Sequence, residues 1–227
     1  MKACVIIPAH NEAKTIARLV KRIRQLHLDV VVIDDGSTDN TAKIVQDNGA
    51  IILRNNYNQG KGASLIKGFH YVLGRDYSAV ITMDGDGQHL AEDIPNFMLA
   101  AEHSGSGMFI GNRLSKAQGM PWVRILTNKF MSWILSKVAR QKIPDSQCGF
   151  RLIKREVLKK LDLKSAKYEI ESEVLIRAAR LGFKIEAVPI KTVYGGEKSK
   201  INPFADTLRF IRFISKELTH TQRRFPS

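Results

Sequence analysis

The chain has 227 residues, 44% hydrophobic and 26% charged, which suffices for one sizeable core. Its two cysteines, Cys4 and Cys148, form no CxxC pair, so neither a cysteine zinc site nor a disulfide framework is indicated, and both read as reduced cytosolic thiols. The net charge of +14 is segregated: residues 1–113 hold 12 Lys/Arg and 12 Asp/Glu, whereas residues 114–227 hold 24 and 10. Such asymmetry predicts that the second half meets something anionic, either nucleic acid or an anionic membrane surface. No run approaches the roughly 18 uninterrupted apolar residues of a membrane span. The longest candidate, 122–139, carries Arg124, Lys129 and Lys137. The N-terminus enters a strand directly, so no signal peptide is expected ahead of it.

In chain order, residues 3–8 form a continuous apolar run ended by Pro8, the pattern of a buried parallel strand. Ile16, Leu19, Val20, Ile23 and Leu26 follow at helical spacing. Residues 30–33 predict a second strand that ends in Asp34 and Asp35, and Ser37 or Thr38 is expected to cap a helix from about Thr41. Residues 50–53 predict a third strand. The glycine-rich turn 58–62 then leads into a helix with Leu65, Ile66, Phe69 and Val72. A fourth strand ends in Asp84-Gly85-Asp86-Gly87-Gln88-His89. This β-α-β-α-β-α-β alternation predicts a mostly parallel Rossmann-like sheet with helices on both faces. Beyond it we expect a helix over 91–103, a strand over 108–111, a basic loop, an amphipathic helix over 121–140 and the segment Asp145-Ser-Gln-Cys-Gly-Phe-Arg151. A helix over 171–181, an extended stretch over 185–193 and a basic amphipathic helix over 203–218 complete the chain. One domain is expected over 1–218, with 219–227 a frayed tail.

Strands of an open α/β sheet present ligand groups past their carboxyl ends. Residues i and i+2 of an extended segment point the same way, so Asp84 and Asp86 can share one cation. Hard oxygen donors of this kind suit Mg²⁺ or Mn²⁺. An acidic turn is the alternative. Pro8-Ala9-His10-Asn11-Glu12 and Asp34-Asp35 end neighbouring strands, so three strand ends converge on one crevice, the expected place for a nucleotide. Gly60-Lys61-Gly62 lacks the P-loop spacing; it either presents N–H groups and a lysine to a phosphate or is a loop with a solvated lysine. His89, beside Gln88, could touch the metal site, but a lone histidine in a polar turn is more often neither ligand nor base.

Five ordered motifs then carry a resemblance. Pro8-x-x-Asn11-Glu12, Asp34-Asp35-Gly-Ser-x-Asp39, Asn58-x-Gly-Lys-Gly62, Asp84-x-Asp86-x-Gln88-His89 and Asp145-Ser-Gln-Cys-Gly-Phe-Arg151 resemble family 2 inverting glycosyltransferases of GT-A fold, most closely the polyprenyl-phosphate (dolichyl-phosphate) mannosyl- and glucosyltransferases. The resemblance implies a nucleotide-sugar pocket formed by Pro8, Ala9, Asn11, Glu12, Asp34, Asp35, Lys61, Asp84 and Gly85. It implies a divalent metal on Asp84, Asp86 and Gln88, with Asp86 and Asp145 serving catalysis and Asp145 near the acceptor. Arg113, Arg124, Lys198 and Lys200 would face the lipid phosphate. His10 stands where many relatives carry tyrosine, which leaves the nucleotide base open.

A phosphate monoester is mostly a dianion at neutral pH, its second pKa being about 6, so it can attack without a strong base. A saccharide hydroxyl acceptor, the runner-up, would require Asp145 to remove a proton. The expectation is a cytoplasmic enzyme, peripherally bound to an anionic membrane surface, that moves a hexose from a nucleotide sugar to a polyprenyl phosphate. A nucleic-acid-binding protein is the competing class, but no signature of one accompanies the charge. The stripe Phe204, Leu208, Ile211, Ile214 and Leu218 beside Arg209, Arg212 and Lys216 is expected to face either an anionic membrane or the domain's own core, which are equally apolar, and Trp122, Ile125, Leu126 and Trp133 offer a second apolar surface.

Overall fold

A computed structural model describes residues 1–116, 119–193, 210, 212–215 and 217. The chain divides into two compact units, Met1–Tyr194 and Gly195–Ser227. Within the second, the described residues are helical, inside the helix expected over 203–218; Phe204, Leu208, Arg209, Ile211, Lys216 and Leu218 lie outside the described residues, as do Lys198 and Lys200.

The first unit is built on a seven-stranded sheet in the order β3-β2-β1-β4-β6-β5-β7. These strands are β1 (Ala3–Ala9), β2 (Asp29–Asp34), β3 (Ile51–Arg54), β4 (Ala79–Thr82), β5 (Met108–Asn112), β6 (Arg151–Lys154) and β7 (Ile185–Pro189). β1 pairs in parallel with β2 and with β4, so the central strands are buried on both faces, as their unbroken apolar runs require. The helices are α1 (Ile16–Gln25), α2 (Thr41–Asp47), α3 (Lys61–Leu73), α4 (Ile94–His103), α5 (Trp122–Ala139), α6 (Arg155–Leu158) and α7 (Ile170–Arg180). α3 approaches the sheet closely through Gly68, where a Cβ would meet Ile33 Cδ1 at 2.9 Å and Ile6 Cδ1 at 3.1 Å.

Two local expectations change. β6 runs antiparallel between β4 and β5, in a stretch for which no strand is expected from the sequence. Its four residues are too few to display a period, and charges at both ends disguise it. The entry to α2 is held by Asp39 rather than by Ser37 or Thr38. Asp39 Oδ1 accepts from the Thr41 N–H at 2.9 Å, while Ser37 Oγ accepts from the Asn11 N–H at 2.9 Å. Ser37 is thus used to tie the β2 end to the β1 end.

Candidate active site

The sheet order makes β2, β1 and β4 neighbours, so their carboxyl ends meet. At the β1 end the chain turns sharply, with Asn11 in the left-handed region at φ 56°. The Asn11 side chain accepts from the Thr38 N–H at 2.9 Å, and the Glu12 N–H donates to Thr41 Oγ1 at 2.8 Å. Pro8, Ala9, Asn11 and Glu12 are thereby fixed against the β2 loop.

Asp34 and Asp35 are both buried. Asp34 accepts from the Ser37 N–H at 3.0 Å and pairs with Arg54 Nε at 3.1 Å. Asp35 accepts from Asn55 Nδ2 at 2.8 Å, the Gln59 N–H at 2.9 Å and the Gly60 N–H at 2.8 Å. Its carboxylate therefore shapes the glycine turn that starts α3. Gly60 has φ 99°, and a Cβ on Gly62 would meet Ser165 O at 2.1 Å, so glycine is required for the 165–167 segment to lie on this turn.

That turn delivers Lys61 to the acidic edge. Lys61 Nζ lies 2.5 Å from Asp84 Oδ1 and 2.5 Å from Glu171 Oε1. Of its two sequence readings, the solvated one is excluded: the side chain is largely buried, and although burial opposes its charge, Asp84 and Glu171 push its pKa above the lysine range. Burial likewise opposes ionisation of Asp84, but Lys61 prevails and holds its pKa at about 2. Among the described residues no ion pair of this kind forms at Asp86. Burial and the neighbouring Asp84 charge push its pKa up to about 6. Gly85 sits over the β1 end, where a Cβ would lie 3.3 Å from Glu12 Cγ, and Thr15 Oγ1 donates to its carbonyl at 2.6 Å. Gln88 is half-buried, and its N–H donates to Asp86 Oδ1 at 3.0 Å.

His89 is in the core beside Phe150, at 5.4 Å between ring centroids, where burial lowers its pKa to about 4 and keeps it neutral. The polar turn expected around His89 is thus replaced by a buried position.

Asp145 is fully buried, and both its oxygens are engaged by Arg113: Nε to Oδ2 at 2.8 Å, Nη2 to Oδ1 at 2.8 Å, and the Arg113 N–H to Oδ2 at 3.0 Å. This fork-on-fork pair fixes the guanidinium. Arg151, at the far end of the same segment, braces it from within by donating to the carbonyls of Cys148, Ser146 and Glu171. The bracing lays Gly149 against Asp84, where a Cβ would meet Oδ2 at 2.6 Å. The segment thus joins Arg113 to the acidic turn. Arg124 is half-buried in the first turn of α5, and among the described residues no hydrogen bond or ion pair joins it to this cluster.

Glu171 was missed by the sequence reading. Its only signal was an acidic residue in the first turn of α7, indistinguishable there from a favourable helix-dipole charge.

A divalent cation fits this edge. Asp84 and Asp86 supply hard oxygens, and the raised pKa of Asp86 marks negative charge that a cation would relieve. Among the described residues no cluster of three or more His, Cys, Asp or Glu could enclose a metal.

Residues 4–162 match the family described as glycosyl transferase family 2. The UDP-N-acetylglucosamine–dolichyl-phosphate N-acetylglucosaminyltransferase of Methanococcus voltae is 32% identical over 215 residues, covering 84% of this chain and 85% of that protein. The polyprenol monophosphomannose synthase of Mycolicibacterium smegmatis is 30% identical over 205 residues, covering 83% and 76%. In fold, the chain is similar to glucosyl-3-phosphoglycerate synthase of Mycobacterium tuberculosis in complex with Mn²⁺, UDP and glucosyl-3-phosphoglycerate. That match has a TM-score of 0.77 at 19% identity and covers 95% of this chain and 79% of that one. Among the described residues, no helix is long and apolar enough to cross a membrane.

Proposed function

Since the chain belongs to glycosyl transferase family 2, we propose that it transfers a hexose from a nucleotide sugar to a polyprenyl or dolichyl phosphate, with inversion, at the cytoplasmic face of a membrane. The observation that carries this reading is the Arg113–Asp145 pair: a guanidinium locked by a buried carboxylate, on the segment that also packs Gly149 on Asp84. A fixed cation beside an acidic metal edge suits an anionic acceptor approaching a diphosphate donor.

In this reading Pro8, Ala9, Asn11 and Glu12 line the nucleotide pocket, and Asp34 and Asp35 contribute by shaping its loops. Asp84, Asp86 and Gln88 would hold Mg²⁺ or Mn²⁺, which when bound supplies Lewis-acid neutralisation of the departing diphosphate. Lys61 adds positive charge at the same edge. Arg113 orients the acceptor phosphate; Arg124, Lys198 and Lys200 are further candidates for that phosphate. The nucleophile is already a dianion near neutral pH, since its second pKa is about 6. Asp145 therefore acts as a positioning residue for Arg113, and no proton has to be taken by a carboxylate that is sealed under a guanidinium. In this arrangement residues 1–113 chiefly serve the donor and the basic half serves the acceptor.

The test is a transfer assay over a panel of nucleotide sugars with a polyprenyl phosphate and with free saccharides, with and without EDTA. The expected product extracts into organic solvent, is acid-labile and forms only with Mg²⁺ or Mn²⁺. Exclusive formation of water-soluble oligosaccharide would replace this reading with the hydroxyl-acceptor one.

A further inference from the structure

Helix α5 is turned inside out. Its buried residues are Asn128, Ser132, Leu135 and Ala139. Its exposed residues include Trp122 (75%), Val123 (54%), Leu126 (63%), Phe130 (59%) and Trp133 (60%). At about 100° per residue, this exposed set falls within an arc of about 100°, opposite the buried one. Phe130 and Trp133 stack on each other with ring centroids 6.2 Å apart. Of the apolar surface expected here, Ile125 turns half inward, and Val123 and Phe130 join instead.

The polar inner face has a structural role. Ser132 Oγ accepts from the Ser146 N–H at 2.8 Å, and Ser136 Oγ accepts from the Ile143 N–H at 2.9 Å. These bonds hold the segment that carries Asp145. The apolar outer face has no such role among the described residues, and a continuous row of large exposed side chains marks an interaction site.

Charge identifies the occupant. From His103 to Pro144 the chain has no Asp or Glu and seven Lys/Arg. Lys129, Lys137 and Arg140, all exposed, accompany the apolar row. Two such faces brought together in a homodimer would set like charges against each other, whereas an anionic bilayer satisfies both the charge and the apolar row.

We infer that the outer face of α5 docks on an anionic lipid bilayer, with Trp122, Leu126, Phe130 and Trp133 in the headgroup–acyl boundary and Lys129, Lys137 and Arg140 on anionic headgroups. The choice of a bilayer over a protein partner rests partly on the lipid-phosphate acceptor proposed above. The helix that meets the lipid then also holds the Asp145 segment, so docking presents Arg113 at the membrane surface.

Trp122 and Trp133 are the only tryptophans of the chain, so intrinsic fluorescence reads this face without a label. Phosphatidylcholine vesicles containing phosphatidylglycerol should shift the emission to the blue, brominated lipid should quench it, and pure phosphatidylcholine should do little. Leu126→Gln/Phe130→Ser keeps both tryptophans and should weaken vesicle binding at least about tenfold, while turnover on a short water-soluble prenyl phosphate is unchanged. Vesicle binding without a blue shift would overturn the inference, because another surface would then dock. A blue shift that grows with protein concentration in the absence of lipid, together with a dimer in sedimentation, would overturn it in favour of a second copy. Intact transfer in detergent without any lipid-induced shift would sink the docking face and leave the acceptor reading standing. A normal shift in a protein that glycosylates no prenyl phosphate would do the reverse.

Discussion

The chemistry of the site comes down to which carboxylates are paired with a cation. Asp145 is sealed beneath Arg113, whereas Asp86 forms no ion pair among the described residues, and burial with the Asp84 charge raises its pKa. Breaking a buried ion pair from one side leaves an unanswered charge, so Asp145→Asn should destabilise the fold by about 3–5 kcal/mol. It should also raise the KM for acceptor, and in a double-mutant cycle with Arg113→Met the two losses should be far from additive. Additive losses in urea melts would mean that the pair does not act as a unit. Asp86→Ala should behave in the opposite way: transfer lost and Mn²⁺ binding by calorimetry much weaker, with the melting temperature kept, since the residue lies at the rim. Lys61→Met removes the cation shared by Asp84 and Glu171. The metal-free variant should melt earlier than wild type, and Mn²⁺ should recover more stability in the variant than it adds to the wild type. Equal protection of both proteins would place the cation elsewhere.

At the scale of elements, close approaches matter more than propensity. β6 enters the sheet against the prevailing direction, and the turn before it brings Gly149 onto the Asp84 carboxylate. Gly149→Ala would overpack that contact at a cost of about 1–3 kcal/mol and displace Asp84. The expected result is a weaker Mn²⁺ isotherm and slower transfer. Gly105→Ala is the control: a Cβ there meets nothing within 4 Å, and stability should change by no more than about 0.5 kcal/mol. Comparable effects in the two variants would show that the Gly149 contact has no special weight. Helix α5 illustrates the same point, since its serines are committed inward to the 143–146 backbone and its large apolar side chains are left outside.

For the molecule as a whole, both thiols report on the integrity of the sheet. Cys4 lies in β1 and Cys148 precedes β6, and burial pushes each up to about 12 from 9.0. Both pKa values are raised on folding, so the neutral thiols contribute stability that is complete below about pH 9, the unfolded value. That contribution is lost as pH rises from about 9 through 12. Iodoacetamide at pH 8 should therefore modify neither cysteine in the folded protein and both in denaturant, as read by intact mass. Chemical melts should show stability falling above pH 9, and rapid labelling of the native protein would contradict the burial of both strands.

Periodic and punctuated features were legible in the sequence. The apolar runs of β1, β2 and β4, the helices between them and the acidic strand ends each depend on neighbours within a few residues. From those local patterns follow a mostly parallel sheet and the convergence of three strand ends, and the strand order does set β2, β1 and β4 side by side. What lay beyond reach depends on partners far apart in the chain. Glu171 reaches Lys61 across 110 residues, and Arg113 reaches Asp145 across 32. The α5 stripe shows the limit most plainly. Its sequence displays an apolar face, but a core and a bilayer are both apolar, and only the packing of Ser132 and Ser136 against the Asp145 segment turns that face outward.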